Sequence, residues 1–182
     1  HVAGKIDPLS DVETIATELA LADLASTEKA LVRYEKAARG GDKDAKVIAD
    51  ALKPVLAALN EGRPARAAGL DAEGLEAIKP LCLMTVKPTL YVANVSEDGF
   101  HDNPMLDALI AFAGKEGAPV VPVCAALEAE LQELSPEDRV EYLKDLGWDE
   151  PGLNRLIRAA YDLLGLQTYF TAGVKEVRAW TI

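Results

Sequence analysis

Asn94 and Glu97 are the residues whose type and placing best suit ligand chemistry. They stand in Asn94-Val95-Ser96-Glu97, directly after the apolar, strand-forming run 90–93 and just before Asp98-Gly99. Pro88 sits at the entrance of that run, where a missing N–H does least harm. An apolar run that stops abruptly in a polar turn reads as a buried parallel strand of an α/β sheet. Ligands in such sheets bind just beyond the carboxyl ends of the strands. Asn-x-x-Glu alone is a weak signal, and both residues could equally be ordinary turn formers. Cys124 closes a second apolar run, 120–123. It is either a reactive thiol or, as its apolar neighbours favour, a buried small residue. His1 and His101 are too few and too separated for a metal cluster. No Ser/His/Asp nucleophile set can be assembled, so no catalytic residue and no metal ligand is assigned within the chain.

The elements that must position these groups are bounded by composition. A chain of 182 residues, 49% of them apolar, can bury a real core, and wholesale disorder is excluded. A formal charge of −11 argues against a general nucleic-acid binder, though a local basic face is compatible with it. No uninterrupted apolar span is long enough for a transmembrane helix, and no membrane partner is expected. With His1 at its start, the chain reads as processed or cut from something longer. Two cysteines far apart in sequence argue against a disulfide framework and for a reduced, cytosolic setting.

Residues 1–8 read as a strand end and loop. Ser10 is a plausible N-cap for an unbroken helix over 12–38, with Ile15, Leu19, Ala22, Ala30, Leu31 and Tyr34 as its apolar face. At 1.5 Å per residue that helix spans roughly 40 Å and is expected to project. Gly40-Gly41 ends it, and Asp42 caps a second helix to about residue 60, giving an antiparallel αα-hairpin kinked or broken at Pro54. Asp71 caps a helix expected to run to about residue 84, bent near Pro80. Asn103-Pro104 opens a helix with Leu106, Leu109, Ile110 and Ala113 as its apolar face. Together with the runs 90–93 and 120–123 it makes one βαβ unit. Ser135-Pro136 starts a helix ending at Gly147, and 151–164 form another, closed by Gly165. From Thr168 the chain turns β-prone, and a hairpin is expected around Ala172-Gly173.

The helical hairpin carries a charge signature. Lys29, Arg33, Lys36, Arg39, Lys43, Lys46 and Lys53 cluster near its tip, a net positive region in an acidic chain. It reads either as a solvated helix face laced with i,i+4 pairs such as Glu35–Arg39, or as a contact surface for RNA or another polyanion.

Asn94-Val95-Ser96-Glu97 lies where P-loop GTPases carry their base-reading Asn-Lys-x-Asp. The strings Thr17-Glu-Leu-Ala-Leu-Ala-Asp-Leu24, Gly40-Gly-Asp-Lys-Asp-Ala-Lys46, Glu150-Pro-Gly-Leu-Asn-Arg155, Leu166-Gln-Thr-Tyr-Phe-Thr-Ala-Gly173 and Lys175-Glu-Val-Arg-Ala-Trp-Thr-Ile182 resemble the YchF/Obg-like ATPase family. The resemblance runs over essentially the whole chain. It implies an α/β fold: part of a P-loop NTPase parallel sheet with an inserted helical coiled-coil hairpin and the beginning of a β-rich TGS domain. It implies residues 1–23 and 85–164 in the nucleotide domain, 24–84 in the insertion and 165–182 in the TGS domain. It further implies ATP binding and hydrolysis with Mg²⁺, association with ribosomes and a cytoplasmic location.

One departure stands out. Neither Gly-x-x-x-x-Gly-Lys-[Ser/Thr] nor an Asp-x-x-Gly switch before the long helix is present, and those parts cradle the phosphates and Mg²⁺. The family places both upstream of His1, so these residues are expected to be the C-terminal part of a nucleotide domain and inactive alone. In the base loop, Glu97 replaces the guanine-clamping Asp and is one methylene longer. Asn94 can pair with adenine N6 and N7, and Val95, in place of Lys, offers only apolar contact. Backbone groups of Cys124, Ala125 and Ala126 would approach the base edge. Lys29, Arg33, Lys36 and Lys43 are the candidate ribosome or RNA contacts. The alternative is a ribosome- or RNA-interaction module without a working nucleotide site.

Overall fold

The computed structural model describes residues 6–182; of the strand end and loop expected over 1–8, residues 1–5, His1 included, lie outside the described residues. The chain divides into two compact units, 1–88 and 89–182.

In the first unit, α1 runs Pro8–Arg39 and α2 runs Lys43–Asn60, joined at Gly40-Gly41-Asp42. The N-cap of α1 is Asp7, whose carboxylate accepts from the Ser10 N–H, so the expected cap Ser10 lies inside the helix. Pro8 at the first helical position, with its preset φ, moves the start forward. Gly41 has φ +96°, which an L side chain rarely adopts, and it lets the chain reverse into α2. Asp42 caps α2 by accepting from the Ala45 N–H at 3.0 Å. Pro54 does not break α2. It lies on the exposed side, so the i−4 bond that it removes is lost away from the α1 seam.

The buried line of α1 is Ala20, Asp23, Thr27 and Ala30; of the expected apolar face, Ala30 is in the core and Leu31 and Tyr34 pack against it, whereas Ile15, Leu19 and Ala22 do not. Ile15 and Leu19 are exposed. With 18 residues against 32, α2 reaches only the C-terminal part of α1, and Ala22 lies off the seam. The core combines Ala20 and Ala30 with Ala51, Leu52, Val55, Leu59, Ala65, Ile78 and Leu83. Asp23 is buried at 3% exposure and fully occupied. Its carboxylate accepts from the N–H groups of Met84 (2.9 Å) and Thr85 (2.6 Å) and from the Thr85 hydroxyl (2.6 Å). The Thr85 oxygen in turn accepts from the Ala65 N–H at 2.9 Å. A buried carboxylate persists only when so satisfied. α3, Ala72–Ile78, is capped by Asp71 and stops six residues short of the expected end. Short 3₁₀ turns, Lys79–Leu81 and Met84–Val86, follow it, separated by Cys82 with φ +51°.

The second unit is built on β1, Tyr91–Asn94, paired in parallel with β2, Val120–Val123, with Tyr91 opposite Val120 and Asn94 opposite Val123. The strand starts one residue later than expected and takes in Asn94. α4, Pro104–Glu116, connects the two, capped by Asn103 and closed by Gly117 at φ +68°. Leu106, Leu109 and Ala113 are buried, whereas Ile110 is exposed and does not belong to the apolar face. α5, Ala125–Glu133, begins directly after Cys124, and no capping residue in the sequence announces it. α6, Pro136–Asp145, and α7, Gly152–Leu164, follow. β3, Thr168–Ala172, and β4, Val177–Thr181, form a separate antiparallel hairpin with every position exposed. The Trp180 indole donates to the Thr171 hydroxyl at 2.9 Å. This is the mixed α/β arrangement expected. No helix among the described residues is long and apolar enough to cross a membrane.

Candidate functional site

β1 ends on Asn94, and the Val95 N–H donates to the Val123 carbonyl at 2.8 Å, carrying the pairing one residue past the strand. Cys124 is the N-cap of α5, but its side chain makes no capping bond. The cap comes from across the sheet: Asn94 Oδ1 accepts from the Ala125 N–H at 3.1 Å. That bond requires the oxygen of the amide to face α5, which fixes its orientation. Asn94 is exposed, and its Nδ2 donors have no partner among the described residues. Cys124 is buried, with 3% exposure, while Ala125 and Ala126 are exposed. Asn94 and 124–126, far apart in sequence, are thus brought together at the carboxyl ends of β1 and β2.

The loop beyond β1 is a tight turn. The Gly99 N–H donates to the Ser96 carbonyl at 2.9 Å, and the Ser96 hydroxyl donates to Asp98 at 2.7 Å. A Cβ on Gly99 would meet Ser96 Oγ at 3.0 Å, so the turn closes on a residue without one. Val95 is half-buried and Glu97 exposed. Partial burial pushes the Tyr142 phenol on α6 up, and the carboxylates of Glu130 and Glu97 add to the effect.

Behind the loop lies a cluster that sequence reasoning missed. Phe100 packs edge-on against Trp148 at 4.7 Å between ring centroids. The Arg155 guanidinium lies over both rings, 5.8 and 5.6 Å from their centroids, and donates to the Pro122 carbonyl at 3.2 Å. Glu128 of α5 accepts from the first amides of α7, Gly152 at 2.6 Å and Leu153 at 3.3 Å. A Cβ on Gly152 would fall 2.8 Å from Glu128 Oε1 and 3.3 Å from Val123 Cγ1, so glycine is what lets α7 start against β2. The signal was Pro151-Gly152: a helix whose N-cap has no side chain to accept with needs a carboxylate from elsewhere.

The basic candidates belong to the first unit. Lys29, Arg33, Lys36 and Lys43 are all exposed. Arg33 stacks over the Tyr34 ring and donates to its hydroxyl at 2.6 Å, and Arg39 pairs with Glu35 at 3.6 Å. Lys29, Lys36 and Lys43 make no ion pair among the described residues. His101 sits on the exposed loop, and no group of three His, Cys, Asp or Glu among the described residues could hold a metal.

Comparison with known proteins adds what geometry cannot. No protein-family model matches the chain. The "Ribosome-binding ATPase YchF" of Haemophilus influenzae is 60% identical over 182 residues, covering 100% of this chain and 50% of that protein. The protein of the same name from Bacillus subtilis is 46% identical over 184 residues, again covering 100% and 50%. A solved structure titled as the Schizosaccharomyces pombe YchF GTPase superposes with a TM-score of 0.86 at 31% identity, over 100% of this chain and 50% of that one.

Over its whole length the chain matches the YchF family. It spans about half the length of the curated YchF relatives it matches. The likeness to a YchF structure extends over the βαβ unit, the helical hairpin and the terminal β-hairpin alike. The fold class expected from the family resemblance therefore holds.

Proposed function

We infer that Asn94, Val95, Glu97 and the backbone of Cys124, Ala125 and Ala126 form the base end of an adenine-nucleotide site in a ribosome-associated, cytoplasmic nucleoside triphosphatase. The observation that carries this reading is the Asn94 amide, its oxygen turned to α5 and its Nδ2 open. A carboxamide oxygen has two lone pairs, so Oδ1 can hold the Ala125 N–H and still accept from adenine N6 while Nδ2 donates to N7. Guanine would set its O6 acceptor against that oxygen. Val95 supplies apolar contact to the ring, and Glu97, one methylene longer than the Asp of a guanine clamp, displaces that clamp from guanine N1 and N2. The relatives named as ATPases support the choice of reaction. No phosphate-cradling Gly-x-x-x-x-Gly-Lys-[Ser/Thr] stands in this sequence, so this reading assigns the phosphates and Mg²⁺ to residues outside it.

The same reading divides the chain into 1–23 with 85–164 as nucleotide domain, 24–84 as helical insertion and 165–182 as the opening of a TGS domain. The separate sheets β1–β2 and β3–β4 support it. The relatives' name supports the ribosome as partner. The unpaired Lys29, Lys36 and Lys43, with Arg33, supply a basic face for RNA, and that observation is what favours the second reading, a ribosome-interaction module without a nucleotide site.

The test is calorimetric titration of ATP into the full-length protein that carries these residues. Asn94→Asp keeps an acceptor for the Ala125 N–H but loses the donor to N7. It should weaken ATP by roughly ten- to a hundredfold, the cost of one bidentate base contact of about 1–3 kcal/mol. An unchanged affinity removes Asn94 from the base site and leaves the interaction module.

A further inference from the structure

Between Val95 and Asn103 the loop after β1 projects mainly exposed side chains, and its half-buried Phe100 packs against the body of the unit. What it grips is Trp148 and the Arg155 guanidinium. Arg155 also reaches the other wall of the site. It donates to the Pro122 carbonyl, two residues before Cys124, and its helix begins on the Glu128 carboxylate of α5. We propose that Arg155 is a positioning residue for base recognition: through Phe100 and the Pro122 carbonyl it sets the spacing between the Asn94 loop and the Cys124–Ala126 backbone. The inference rests on the base-site reading above. A guanidinium suits the task because it is planar, carries donors along its edge and stacks on aromatic faces at once, which an ammonium cannot do. Arg155 Nε is buried without a hydrogen-bond partner among the described residues, so the Pro122 carbonyl and the two rings are the contacts that hold the group.

A residue acting on the base alone should not affect a ligand without one. The test compares ATP, GTP and inorganic tripolyphosphate in the full-length protein, for wild type, Arg155→Ala, Arg155→Lys, Phe100→Leu and Asn94→Asp. Arg155→Ala should weaken ATP about tenfold, on the scale of a partly desolvated cation–π contact. It should weaken GTP less and leave tripolyphosphate unchanged. Arg155→Lys should recover part of the loss, and Phe100→Leu should move ATP in the same direction. Should Arg155→Ala fail to fold, the Lys and Leu variants carry the comparison. Equal losses for all three ligands, or an unaltered ATP affinity, overturn the positioning role while Asn94→Asp still weakens ATP. If Asn94→Asp also leaves ATP untouched, it is the base site itself that falls.

Discussion

At the scale of single residues, polar groups hold this chain in places where its apolar pattern is silent. Asn94 is legible in the sequence as a polar residue at the end of an apolar strand. Its second duty as the cap of α5 is not, because the Ala125 N–H that it serves lies 31 positions away. In the sequence Glu128 is only a carboxylate following a strand, yet it closes the start of α7. Glu128→Ala leaves the Gly152 and Leu153 amides without an acceptor and should cost about 1–2 kcal/mol, the range for a missing cap, read as a shift in the urea midpoint. Asp23→Ala should cost more, about 2–4 kcal/mol, since it strands three donors in a buried site. Thr27 goes the other way. Its hydroxyl is fully buried with no partner among the described residues, so Thr27→Val should be neutral or stabilise by up to about 1 kcal/mol. A clear loss of stability in Thr27→Val would mean that the hydroxyl is satisfied in solution.

At the scale of elements, the helices are legible wherever a cap and a terminator stand in sequence. Asp42, Asn103 and Ser135 mark starts, and Gly117 and Gly165, both left-handed, mark ends. The seam of the hairpin is legible only in part: Ala30, Leu31 and Tyr34 pack as the apolar pattern has them, but two of the four buried α1 positions are Asp23 and Thr27, which that pattern passes over. α5 is hidden for a related reason: its start at Cys124 carries no capping side chain of its own. The basic positions near the hairpin tip remain exposed on regular helix, which suits them to a partner as well as to water. Reversing the charge at Lys29, Arg33, Lys36 and Lys43 together should weaken sedimentation with ribosomes. It should also lower the salt slope of binding, by about 0.7–0.9 for each phosphate that the protein no longer neutralises. Unchanged binding with an unchanged slope would leave them a solvated face.

At the scale of the molecule, the chain divides into two compact units, one bearing the basic helical hairpin and the other the loop after β1. The chain matches half the length of its YchF relatives, and no phosphate-cradling motif stands among its residues. Residues 1–182 purified alone should therefore show no ATP turnover; hydrolysis abolished by a substitution within them would relocate the phosphate machinery into this chain. The central claim, that Asn94-Val95-Ser96-Glu97 selects adenine, is tested most directly by competition between ATP and GTP for the full-length protein, wild type against Val95→Lys with Glu97→Asp. The account predicts that wild type prefers ATP, that Glu97→Asp alone does not fully reverse this because Val95 still lacks a lysine stem over the ring, and that the double variant moves the ratio toward GTP. A wild type that prefers GTP, or a double variant with an unaltered ratio, would contradict it.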